Sequence, residues 1–260
     1  MAWIRVFLGI AIACFIQGCG SAEPDPSVLR VAAASDLEHV LPVLASAFRS
    51  KGGVEVVPSF GSSGQLAEQI RQGAPFDLFL SADRRFVERL ADEGAIRPGS
   101  VKPYARGSLI LALKADSPLV VKGLADLAQS GIKFVAIANP ETAPYGRAAK
   151  QAMERAGIYQ EVQTRLVQAG SVRQALQMVQ SGNAEVGIVG RSIADAKGIR
   201  WIPLPLDSSD PIDQYLGVVA RSGRVEEASK LAEFLLSEDG RGILKEFGFG
   251  RVPDAPGGSK

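Results

Sequence analysis

Cysteine and histidine are almost missing from this chain. Of 260 residues, two are cysteines (Cys14 and Cys19) and one is a histidine, His39. Both cysteines fall close to the N-terminus, so the body of the protein has no thiol for a disulfide, a thiolate metal ligand or a cysteine nucleophile. A lone histidine rules out a multi-histidine metal centre and leaves a Ser-His-Asp triad one possible base. Charge of one sign is lacking too: 29 Lys and Arg stand against 28 Asp and Glu, a net charge of +1. Nucleic-acid surfaces show as basic excess, so no nucleic acid is expected as a partner. An anionic ligand would have to be held by something other than bulk positive charge. There is no GxxxxGK[ST] phosphate loop, no repeat of solenoid type and no arguable pair of catalytic carboxylates.

Uninterrupted hydrophobic runs of leader length are also scarce, and the clearest sits at the start. A short basic head at residues 1–5 precedes the apolar run VFLGIAIACFI at 6–16. A membrane-spanning helix needs roughly 20 apolar residues, and this run stops sooner, so it reads as a signal peptide over 1–19. IQGC at 16–19 resembles a bacterial lipobox, with Gln17 an imperfect residue for it; acylation of Cys19 would anchor the mature chain to a membrane. Residues 20–27 would then form a polar tether. The expected location is outside the cytoplasm, in the periplasm or cell envelope.

What is present is a regular alternation. With 46% apolar residues, the chain can bury one large core or two moderate ones. VLRVAAA (28–34), VEVVPSF (54–60) and FDLFLSA (76–82) read as strands separated by helical periods, the signature of parallel βαβ units. The stretch SDLEHVLPVLASAFRSKG reads as one helix directly after the first strand. A second α/β set follows, in which SIADAKG is expected as a short helix. Long apolar runs at 107–116 and 212–221 bracket that set, and two helices close the chain. The fold class is therefore α/β with two lobes joined by two crossing strands. Residues 28–106 plus 222–252 form lobe 1, 107–221 form lobe 2 with hinge strands at its ends, and 253–260 form a tail. The ligand cleft is expected between the lobes, at the strand C-termini.

Small and hydroxylated residues gather where strands hand over to helices: Ser35-Asp36, then GSSG at 61–64, ANPETAPYG at 138–146 and AGSV at 169–172. A helix start leaves about four backbone N–H groups unpaired and carries roughly half a positive charge. Several starts aimed at one point would hold an anion without Lys or Arg. Taken one at a time, each such Ser is most simply an N-cap worth about 1 kcal/mol. A serine hydrolase is the third possibility, but a nucleophile elbow needs Gly-x-Ser-x-Gly, and GSSGQ lacks the last glycine.

The combination VAAASDL, SFGSSGQLAEQIRQGAPFDLFLSAD, ANPETAPYGRAAKQAM, SVRQALQMVQSGNAEVGIV and KEFGFGRVP resembles the molybdate-binding proteins of bacterial ABC importers, over about residues 29–252. The resemblance implies a type II periplasmic-binding fold, a hinged clamp that captures a tetrahedral oxyanion and performs no catalysis. It implies anion contacts from Ser35 and Ser63, with Ser62 and Asp36 as weaker candidates, and from the backbone at Tyr145 and Val172. Molybdenum would be present only within bound molybdate, tungstate would be held alike, and no other cofactor is implied. The implied partners are an ABC permease and, through Cys19, a lipid anchor; the binding protein itself would be a monomer. Another oxyanion, such as sulfate, phosphate or a small carboxylate, is the alternative ligand. One position departs from the family: Gly190 stands where a tyrosine is frequent, and Tyr145, Tyr215 or a water would have to supply that hydroxyl.

Overall fold

The computed structural model describes residues 28–253. The expected leader, lipobox cysteine and tether, and all but the first residue of the expected tail, lie outside the described residues. Among the described residues no helix is long and apolar enough to cross a membrane.

Two five-stranded sheets organise the chain. The first holds β1 (Val28–Ala34), β2 (Glu55–Gly61), β3 (Leu78–Ser81), β4 (Lys102–Gly107) and β10 (Ile212–Val218), in the order β2-β1-β3-β10-β4. The second holds β5 (Leu109–Lys114), β6 (Val135–Ala138), β7 (Leu166–Ala169), β8 (Val186–Gly190) and β9 (Ile199–Pro203), in the order β7-β6-β8-β5-β9. In each sheet the three adjacent strands at one end run parallel and the next runs antiparallel to them. Strands covered on both faces must be apolar almost throughout, which is why VLRVAAA, LFLS and VAIA carry so few polar side chains.

Helices α1 (Leu41–Ser50), α2 (Ser63–Arg71), α3 (Arg84–Asp92), α7 (Val225–Leu236) and α8 (Glu238–Glu246) cover the first sheet. Helices α4 (Pro144–Arg155), α5 (Tyr159–Val162) and α6 (Val172–Gln180) belong to the second. The turn at 93–95 and the end of α8 use glycines in the left-handed region, Gly94 at φ +72° and Gly248 at φ +83°; the latter ends α8 as the FGFG run suggests.

Several elements differ from the sequence expectation. The first helix does not start at Ser35: a 3-10 turn spans Ser35–Leu37 and α1 begins at Leu41, with Pro42 in its first turn. A proline has no N–H to give and suits a helix start, so the long helical period divides there. SIADAKG forms only a 3-10 turn at Arg191–Ile193. The run at 107–116 is cut at Ser108, with β4 on one side in the first sheet and β5 on the other in the second. The late strand belongs wholly to the first sheet, between β3 and β4, so residues 212–221 do not close the second lobe. The chain thus crosses at Ser108 and returns through 204–211.

Candidate functional site

Parallel pairing sets the first half of the site. Ala34 at the end of β1 lies in register with Gly61 at the end of β2, so Ser35 and Ser62-Ser63 leave the sheet side by side. Ser62 is the N-cap of α2, its Oγ accepting from the Gln65 N–H at 3.4 Å. Ser63 is fully buried; its Oγ accepts from the Ala82 N–H at 3.0 Å and keeps its own proton to donate. Ser35 is buried as well, directly beyond the last residue of β1. Both candidate serines therefore hold an O–H at the C-terminal edge of the first sheet.

The second lobe supplies two helix starts. Helix α4 opens with Pro144, Tyr145 and Gly146, and its ladder begins with the Arg147 N–H bonded to Ala143 O at 3.1 Å, so the Tyr145 amide lies ahead of it. Gly146 is required here: a Cβ would sit 2.1 Å from the Ala138 carbonyl oxygen. Helix α6 opens with Val172 behind the cap Ser171, whose Oγ accepts from the Gln174 N–H at 3.3 Å, leaving the Val172 amide ahead of the ladder as well.

These starts meet. The Gly64 N–H donates to Thr142 O at 2.9 Å, joining the loop before α4 to the first turn of α2. The first turn of α6 packs on the 35–37 turn. The Tyr145 hydroxyl donates to Asp36 Oδ2 at 2.9 Å, and the Ser192 hydroxyl donates to the Asp36 carbonyl at 2.8 Å. Two ion pairs also cross between lobes, Arg173 with Glu38 and Arg147 with Asp83. These contacts join the two lobes along one junction, beside which the segments carrying Ser35, Ser63, Tyr145 and Val172 lie. Beside it a cleft of about 230 Å³ opens between the lobes, bordered by Ala82 and Asp83 on one side and Pro144 and Arg147 on the other.

Asp36 has the most unusual environment. It is fully buried, and Oδ2 accepts from both Tyr145 and the Gln214 amide, the latter at 2.8 Å. Burial pushes its carboxyl up from the ordinary 3.8 to about 6, and the hydrogen bonds from Tyr145, from its own backbone N–H and from Gln214 oppose that rise only in part. Gln214 in turn accepts from the Tyr104 hydroxyl at 3.1 Å, and burial raises both phenols, Tyr104 and Tyr145, well above their usual range. Among the described residues no cluster of three or more His, Cys, Asp and Glu side chains stands ready for a metal ion.

Tyr145 also bears on the Gly190 position. A Cβ at Gly190 would lie 2.8 Å from Tyr145 Cε1, and one at Gly107 would lie 2.1 Å from its hydroxyl oxygen. The Tyr145 ring thus fills the room over Gly190. Its hydroxyl, however, is engaged with Asp36. Tyr215 faces the outer cleft instead, beneath the Arg84 guanidinium at 5.7 Å. His39 sits half-buried in the turn ahead of α1.

Sequence reasoning missed Gln214, Ser192 and the two arginines that reach across. Gln214 had a visible signal, an uncharged polar residue in the apolar run IDQYLGV. The arginines had none, since a charged residue in the first turn of a helix is commonplace.

A family model described as bacterial extracellular solute-binding protein matches residues 29–250. The molybdate-binding protein ModA of Rhodobacter capsulatus is 38% identical over 205 residues, 78% of this chain and 80% of that protein. ModA of Azotobacter vinelandii is 33% identical over 248 residues, 94% of this chain and 96% of that protein. The solved structure of the periplasmic molybdate-binding protein of Azotobacter vinelandii superposes with a TM-score of 0.81 at 33% identity, covering 87% of this chain and 100% of that one.

Proposed function

This chain belongs to the bacterial extracellular solute-binding proteins, as a homologue of ModA with the two-lobed fold of periplasmic binding proteins, and from that premise we propose that it captures molybdate, and tungstate with it, for an ABC permease. The observation that carries the reading is the meeting of the 3-10 turn at Ser35 with the helix starts at Ser63, Tyr145 and Val172, drawn from both lobes. The hydroxyls of Ser35 and Ser63 and the amides of Tyr145 and Val172 are the proposed donors, with Ser62 serving α2 as its cap. Uncharged donors suit a fully ionised tetrahedral anion, because no counter-ion has to be buried with it. One lobe takes the anion, hinge closure brings the other lobe's amides, and the closed form docks on the permease. Selectivity against sulfate follows from size: a cage slightly too large leaves donors unpaired, at about 1–3 kcal/mol each. Tungstate, of nearly the same size as molybdate, is held alike. Export through the leader, and anchoring through an acylated Cys19, would put the clamp beside its permease.

The test is a comparison of thermal midpoints of the leaderless protein with molybdate, tungstate, sulfate and phosphate. At ligand about a hundredfold above its Kd the folded state gains about 2.7 kcal/mol, a rise of several degrees. Molybdate and tungstate are expected to give that rise and sulfate and phosphate not. Silence from both molybdate and tungstate overturns the reading.

A further inference from the structure

We propose that Asp36 is the residue that sorts oxyanions by their proton content: in the loaded clamp it is a neutral acid donating from Oδ1, so capture of each bare tetrahedral dianion takes up one proton. The inference rests on the reading of this junction as an oxyanion site.

The two oxygens of Asp36 are unlike. Oδ2 accepts from the Tyr145 hydroxyl at 2.9 Å and the Gln214 amide at 2.8 Å, the pattern of a carbonyl oxygen. Oδ1 is buried and, among the described residues, is the buried side-chain N or O atom without a hydrogen-bond partner. A buried carboxylate oxygen with no donor is costly, whereas an acid O–H facing an anion is satisfied. Among the described residues no cation compensates the group: Arg173 of α6 is taken by Glu38, Arg191 of the adjoining turn by Asp195, and the phenols of Tyr104 and Tyr145 stay neutral. Burial already brings its titration to about 6, and a dianion beside Ser35 raises it further, as like charges do.

Chemistry then divides the possible ligands. An ionised Asp36 repels a bare dianion but accepts from an anion that carries its own hydrogen, as hydrogen phosphate does. A neutral Asp36 donates to a bare dianion. The proton comes from solvent and joins Oδ1, and no bond within the anion forms or breaks.

Two measurements decide the matter. Calorimetric titration of the mature chain with molybdate, in two buffers of different ionisation enthalpy, counts protons on binding. At neutral pH we expect uptake close to one, and affinity falling about tenfold per pH unit above the carboxyl's titration. Asp36→Asn, whose amide donates without a proton, should show neither uptake nor slope. No uptake by the unaltered protein, or equal slopes in both, overturns the proposal, and the first of these needs no variant. The second measurement is anion-free. Because the folded carboxyl titrates above the unfolded one, stability falls as pH rises between them and levels off beyond about 6. The thermal midpoint of the unaltered protein should therefore drop several degrees relative to Asp36→Asn across that window. Parallel curves overturn the proposal whatever the ligand, while silence toward molybdate with diverging curves indicts only the assignment of the anion.

Discussion

Tyr145 is held between two positions that have no side chain. Gly107 ends β4, Gly190 ends β8, and the ring lies where either residue's Cβ would be. Gly190→Ala puts a methyl carbon 2.8 Å from Cε1, so the ring must move and its bond to Asp36 must stretch. Overpacking of this kind costs about 1–3 kcal/mol. The expected outcome is a lower midpoint in denaturant and anion affinity weaker by about tenfold, read by unfolding and by titration; unchanged affinity would show that the ring's placement is irrelevant to capture. The hydroxyls at 35, 62 and 63 could be picked out as candidates because small hydroxylated residues just beyond a strand are a local signal. The hydroxyl of Tyr145 could be assigned to the neighbourhood of Gly190 but not to Asp36, because that bond joins residues 109 apart in the chain. Local patterns carry no such information.

At the scale of elements, the helix starts do two jobs, ending a helix and facing the other lobe. Ser62 and Ser171 are caps in the ordinary sense, each accepting from the N–H three residues on. Arg173, on the first turn of α6, instead reaches Glu38 across the junction. Removing it by Arg173→Gln should weaken anion affinity about two- to fivefold, since partly exposed ion pairs are worth about 1 kcal/mol or less. The loss should shrink in high salt, where such pairs are screened, and a Glu38→Gln partner variant should add little to it. Additive losses in that cycle would show that the pair does not help hold the lobes together. Arg147 is a poorer probe, because its partner Asp83 also caps α3 through the Arg85 N–H at 2.8 Å. Element identity was largely legible from periodicity; element ends were not. Pro42, Ser108 and the short turn at Arg191–Ile193 each cut a run that hydrophobic pattern alone would continue.

At the scale of the whole molecule, the two sheets share a plan, three parallel strands followed by an antiparallel one. The βα alternation announced the parallel parts. It was silent on which sheet would take residues 212–218, because an apolar strand fits either, and only pairing with β3 and β4 decides. With that strand in the first sheet, the cleft lies between a lobe made of both ends of the described residues and a lobe made of one interval.

That asymmetry bears on how the molecule comes into being. Residues 109–203 hold every strand of the second sheet in one unbroken stretch, while the first sheet lacks a strand next to its middle until 212–218 has emerged. Long-range pairing is slow and waits for its partner. A chain threading outward from its N-terminus should therefore finish the later lobe first and leave the earlier one open. Chains truncated before residue 212 and treated with protease should yield a protected fragment near 109–203 and a digested N-terminal portion. Protection of both would mean that three parallel strands suffice. Assembly from the middle outward would keep the proposed anion site unbuilt until about the last fifth of the chain begins to arrive.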